Sequence, residues 1–152
     1  MAARDKPRGV IDTCVLVAGI AGFKSWLAAQ NESAKLLRDW IDSASFVWLV
    51  TEDILAEYKE FLSRLKVRPA VIGAVINCLR EEAKFVDVRA EGEVSPDPGD
   101  NAFCACADVE RAAFIVTLNP RDFPQKKLSA KVILPGDPMP TTGPHPRRRT
   151  RT

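Results

Sequence analysis

Histidine is almost missing from this chain: the single one, His145, lies in a terminal stretch rich in proline and arginine. That position sets aside Ser-His-Asp and Cys-His catalysis, and it argues against a histidine-ligated zinc site, because each needs an imidazole within the folded body. Cysteine is sparse too. Cys14, Cys78, Cys104 and Cys106 have neither paired CxxC spacing nor the density of a secreted disulfide scaffold, and no apolar signal segment precedes the first strand, so a cytoplasmic location is expected. No apolar run approaches the roughly 20 residues that cross a bilayer. A large charge excess is also missing. The net charge is +2, and Arg147, Arg148, Arg149 and Arg151 all sit near the end, which leaves the body close to neutral and without a bulk signature of polyanion binding. Chemistry therefore falls to carboxylates, amides and hydroxyls.

With 152 residues, 46% of them hydrophobic, the chain can bury one core but not two. Residues 1–7 read as a flexible leader, 8–136 as one folded domain and 137–152 as a disordered Pro/Arg-rich tail. Val10-Ile11 is a short apolar run ending on Asp12, with Val15 to Ala18 entering a helical turn. Gly19 and Gly22 are expected to break that turn, leaving Ile20 to Gln30 open between loop and short helix. A helix follows from Ser33 to about Ala44, and a buried strand over Phe46 to Val50. Thr51 offers a hydroxyl N-cap for the next helix, whose Ile54, Leu55, Tyr58, Phe61, Leu62 and Leu65 form one apolar stripe. Pro69 opens a further helix to about Ala83, expected to make a hairpin with its predecessor. Phe85 to Val88, Phe114 to Val116 and Lys131 to Leu134 complete the strands, and an alanine-rich helix begins at Asp100. Alternating strands and helices predict an α/β fold: a three-layer α/β/α sandwich around a mostly parallel sheet of four to five strands.

The acids stand out against this frame. Asp12 closes the first strand, Glu57 borders the apolar stripe of a helix, Asp100 opens another helix, and Asn119 and Asp122 follow the fourth strand. Each place lies at or just past the carboxyl edge of a strand, where open α/β sheets bind ligands. Carboxylates crowded there repel one another unless a cation intervenes, and a hard divalent ion takes such oxygen ligands. Each acid has an ordinary alternative. Asp12 and Asp100 suit N-caps, Glu57 suits a solvent contact or a pair with Arg64 or a lysine, and the segment from Thr117 to Asp122 suits a polar loop. Their combination is what points to a site.

In order and spacing, the chain resembles the PIN-domain nucleases, and more narrowly the VapC-like endoribonucleases, the bacterial PIN-family toxins of toxin-antitoxin systems. Val10-Ile11-Asp12-Thr13 resembles the opening strand and first acid, and Thr51 to Tyr58 the second motif, with Glu57 at its acidic position. Ser95 to Asn101 resembles the loop bearing the third acid, Asp100, and Ile115 to Phe123 the closing motif. Two departures stand in this chain: Cys14 where the family usually has asparagine, and Asn119 where many members have aspartate.

The resemblance implies a Mg²⁺- or Mn²⁺-dependent endoribonuclease that hydrolyses single-stranded RNA to a 5′-phosphate and a 3′-hydroxyl. It implies metal ligation by Asp12, Glu57, Asp100 and Asn119, catalysis by Asp12, Glu57, Asp100 and Asp122, and an orienting role for Thr13, Thr117 and Asn101. A cognate antitoxin and a homodimer or higher homo-oligomer are the implied protein partners. Arg121, in a loop at the site, is the expected RNA contact, with Phe23 and Trp26 as candidates for base stacking and packing the commoner role for such rings. The competing expectation is a catalytically weak PIN-like module that binds RNA or protein, kept open by Cys14 and Asn119.

Overall fold

The structure, a computed structural model, describes residues 6–23, 31–87 and 101–140. Five strands, β1 (Arg8–Ile11), β2 (Val47–Val50), β3 (Lys84–Phe85), β4 (Phe114–Val116) and β5 (Lys131–Ile133), form one sheet in the order β3-β2-β1-β4-β5. All four pairings are parallel, with Arg8 opposite Val47, Gly9 opposite Phe114 and Phe114 opposite Lys131. Helices α1 (Thr13–Phe23), α2 (Glu32–Ser43), α3 (Glu52–Arg64), α4 (Pro69–Glu82) and α5 (Asn101–Glu110) flank the sheet and complete the α/β/α layers. The strand order reverses direction at β1, with β2 on one side and β4 on the other. The crevice beyond the carboxyl ends of β1 and β4 is therefore the topological switch point.

Local chemistry explains the elements. Thr51 caps α3 by accepting the Ile54 amide at 3.0 Å, and Glu52 and Asp53 occupy the first turn, where the helix dipole favours acids. Asn31 caps α2 in the same way through the Ala34 amide. Pro69 starts α4, where its missing N–H has no intrahelical bond to lose. The β1, β2 and β4 strands are buried almost throughout, as expected for parallel strands covered on both faces.

Two expectations about helices are corrected. Gly19 and Gly22 do not break α1, which runs through both to Phe23. A Cβ on Gly19 would lie 2.4 Å from Leu37 Cδ1 and one on Gly22 2.9 Å from the Ala34 Cβ, so these glycines let α2 approach α1 closely. The stripe on α3 is also narrower than the spacing suggested. Ile54, Leu55, Tyr58 and Leu62 are buried, while Phe61 and Leu65 are exposed. The third strand is shorter than expected, ending at Phe85, and Val88 lies outside the described residues. So do residues 1–5 of the leader, 141–152 of the tail, Trp26, and the polar loop with Asp100.

The core is aromatic around Trp48 and Phe114. The Phe114 ring lies directly over Gly9 on the neighbouring strand, with its Cε1 only 2.0 Å from where a Cβ would stand. Gly9→Ala should destabilise the fold by ~1–3 kcal/mol, because strand and ring are both fixed by packing. Urea unfolding measures it, and an unchanged midpoint would mean that the ring turns aside freely.

Candidate active site

Asp12 emerges from β1 at the N-terminus of α1, and its amide continues the β1–β4 ladder by donating to the Val116 carbonyl at 2.9 Å. Its side chain is 7% exposed. Oδ1 accepts the amide of the next residue, Thr13, at 2.8 Å. Oδ2 reaches across the switch point, accepting the Thr117 hydroxyl at 2.7 Å and the Cys14 thiol at 3.2 Å. Thr117 is fully buried at the end of β4, and its own Oγ accepts the Asn119 amide at 3.0 Å. The aspartate after β1 and the threonine after β4 thus lock the two strand ends together.

Glu57 enters from α3. The Thr13 hydroxyl donates to its Oε2 at 2.6 Å, so Asp12 and Glu57 are joined through one residue although they lie far apart in sequence. Helix α3 is aimed by Tyr58, whose buried hydroxyl donates to the Ile11 carbonyl at 2.6 Å and accepts from Trp48 Nε1 at 3.3 Å. Burial holds the Tyr58 phenol well above its ordinary pKa, which keeps that donor protonated. Tyr58 therefore ties the helix carrying Glu57 to the strand delivering Asp12.

Asp12, Thr13, Cys14 and Glu57 share a cleft of about 670 Å³ whose lining also includes Phe61, Asn119 and Asp122. Asn119 and Asp122 stand at a 3₁₀ turn (Pro120–Asp122), where the Asn119 amide donates to Asp122 Oδ2 at 2.7 Å. Arg121, between them in sequence, is exposed and is not part of the lining. Of the other candidates, Asp100 and the Asn101 side chain lie outside the described residues. Three contributors were not among the expected site residues. They are the Tyr58 hydroxyl, the Phe61 ring, which follows Glu57 by one helical turn, and the Cys14 thiol.

Cys14 takes the place of the expected asparagine as a donor to Asp12. Burial, together with the adjacent Asp12 carboxylate, pushes its thiol up to about 11, so it remains an S–H donor at neutral pH. It also accepts the Leu118 amide at 3.5 Å. A thiol is a weaker donor than a side-chain amide, so this bond to Asp12 is a weak one.

The residues fit a hard divalent cation. Apart from the Cys14 sulfur, the polar groups of the cleft are carboxylate, amide and hydroxyl oxygens and the amide nitrogen of Asn119. Asp12 is buried, yet its three hydrogen-bond donors are neutral, and among the described residues it pairs with no lysine or arginine. A buried carboxylate without a counter-charge is costly, and a bound cation offsets that cost. Among the described residues no three His, Cys, Asp or Glu side chains by themselves form such a cluster.

A parallel α/β domain with carboxylates gathered at its switch point is the architecture of a PIN-like fold. A family model described as PIN domain matches residues 8–121, most of the chain, and the chain belongs to the PIN-domain family. PIN domains are generally metal-dependent nucleases. No curated protein matches the chain. Among the described residues, no helix is long and apolar enough to cross a membrane.

Proposed function

We propose that this protein is a Mg²⁺- or Mn²⁺-dependent endoribonuclease cutting single-stranded RNA, and that it serves as the toxin of a type II toxin-antitoxin pair. The observation that carries the reading is the meeting of Asp12 and Glu57 in one cleft through Thr13, with no cationic side chain on the buried Asp12. Asp12 and Glu57, together with Asp100 of the third motif, would hold the metal. A divalent ion held there would supply an activated water and charge neutralisation at the phosphoryl oxygens. Thr13 and Thr117 each donate to one carboxylate, Thr13 to Glu57 and Thr117 to Asp12, and so orient the pair. Asn119 holds Asp122 at the mouth, so the fourth position is shared between an amide that orients and an acid that carries charge. Arg121 meets the RNA backbone outside the cleft.

The partners belong to the same proposal. An antitoxin and a second copy of the chain both require apolar surface, and a groove of about 470 Å³ between α2 and α4, lined by Trp40, Ile41, Val71, Ala74 and Val75, supplies it.

The second reading, a binding module without efficient cleavage, is favoured by the thiol that stands in for an amide beside Asp12 and by the neutral Asn119. Calorimetric titration with Mn²⁺ together with a cleavage assay separates the two. The nuclease reading expects saturable Mn²⁺ binding, cleavage of single-stranded RNA that requires the ion, and loss of both on chelation. A protein that holds RNA but neither binds Mn²⁺ nor cuts is the binding module.

A further inference from the structure

Phe61 is a large apolar side chain left partly open to solvent beside the acids. It is 38% exposed, lies one turn after Glu57 on the same face of α3, and lines the cleft that contains Asp12 and Glu57. Leu65, 58% exposed, continues that face by another turn. Each four-residue step advances about 6 Å, so an apolar track leads away from the carboxylates in steps comparable to one extended nucleotide. Arg64 completes it. Its guanidinium carbon lies 5.2 Å from the Phe61 ring centroid, and its Nη2 is anchored to Glu60 Oε2 at 2.6 Å.

We infer that Phe61 is a base-stacking subsite: the nucleobase beside the scissile phosphate lies on the exposed part of its ring while the phosphate sits at Asp12 and Glu57. The inference rests on the nuclease reading and deepens it, because it says how the site selects its substrate. In a duplex both faces of a base are already stacked, so an aromatic ring can receive only an unpaired base, and such stacking is tolerant of sequence. Arg64 restrains the ring from one face and places a positive charge beside it, where a neighbouring phosphate passes. Acid, ring and cation thus meet three parts of one nucleotide step.

The test measures binding of a fluorescent single-stranded RNA, and of its duplex, to the Asp12→Asn protein, which keeps the substrate intact. Phe61→Ala should weaken single-strand binding roughly 5- to 100-fold, the range of one base–aromatic stack, and leave duplex binding unchanged. Phe61→Trp should restore it, whereas Phe61→Leu should not. An abasic nucleotide next to the cleavage position should cost the wild-type ring as much as Phe61→Ala does, and should cost the alanine variant nothing further. Equal binding by Phe61→Ala, or full rescue by leucine, overturns the inference. So does a Phe61→Ala protein that binds RNA normally but no longer self-associates in sedimentation, because the ring then belongs to a contact between copies. Metal-dependent cleavage by the Asp12-intact protein is scored separately. If it persists while the stacking results fail, the subsite falls and the nuclease stands; if the protein neither binds nor cuts, both fall.

Discussion

Asp12→Asn is expected to reduce metal-dependent RNA cleavage roughly 100-fold or more while leaving the fold intact. A bound metal supplies several kcal/mol of transition-state stabilisation, and each 1.36 kcal/mol is about tenfold in rate. The substitution removes the charge that holds the ion but little of the structure around it. Asparagine has the same shape, its oxygen can accept the Thr13 amide as Oδ1 does now, and its NH₂ would face Thr117 Oγ and Cys14 Sγ, both of which can accept. Melting temperature and circular dichroism should therefore match the wild type within a few degrees. Cleavage that continues undiminished in the variant would remove Asp12 from the reaction and the proposed site with it.

Trp48→Ala should have the largest effect on stability, ~3–5 kcal/mol, as for the loss of a large ring from a packed core. Trp48 is 1% exposed, meets Trp40 edge-on at 4.8 Å and Tyr58 at 6.4 Å, and stacks with Phe46 at 6.0 Å. Its removal opens a cavity between the sheet and α2. It also deletes the indole N–H that the Tyr58 hydroxyl accepts. Because a domain of this size holds only about 5–15 kcal/mol in total, the loss is a large share. A fall in Tm of roughly 10–15 °C is expected. Since Tyr58 aims the helix bearing Glu57, cleavage should also fall at temperatures where the variant is still folded. A shift of less than a few degrees would show that the ring cluster contributes little.

Much of the scaffold was legible locally. The strand at Val10-Ile11, the cap at Thr51, the proline opening α4 and the runs at Phe114 and Lys131 each announce themselves through neighbours in sequence, because capping, turn chemistry and periodicity act over a few residues. Gly19 and Gly22 misled for the same reason. Judged alone a glycine weakens a helix, and only the presence of α2 against α1 shows why no side chain fits there. Phe61 and Leu65 satisfied the helical period of the stripe, but periodicity reports which residues share a face and not whether another element covers it.

The sequence by itself determined the class of this protein: a parallel α/β domain with acids after successive strands and no imidazole within its body, hence a chemistry of oxygen ligands. Only the tertiary structure decided which of those groups meet. Thr117 closing onto Asp12, Thr13 bridging to Glu57, Cys14 serving as a donor and Phe61 standing open beside the acids all depend on strand order and helix packing. Propensity and capping are local free energies carried along the chain, whereas a site at a switch point is made by contacts between segments that no local rule brings together.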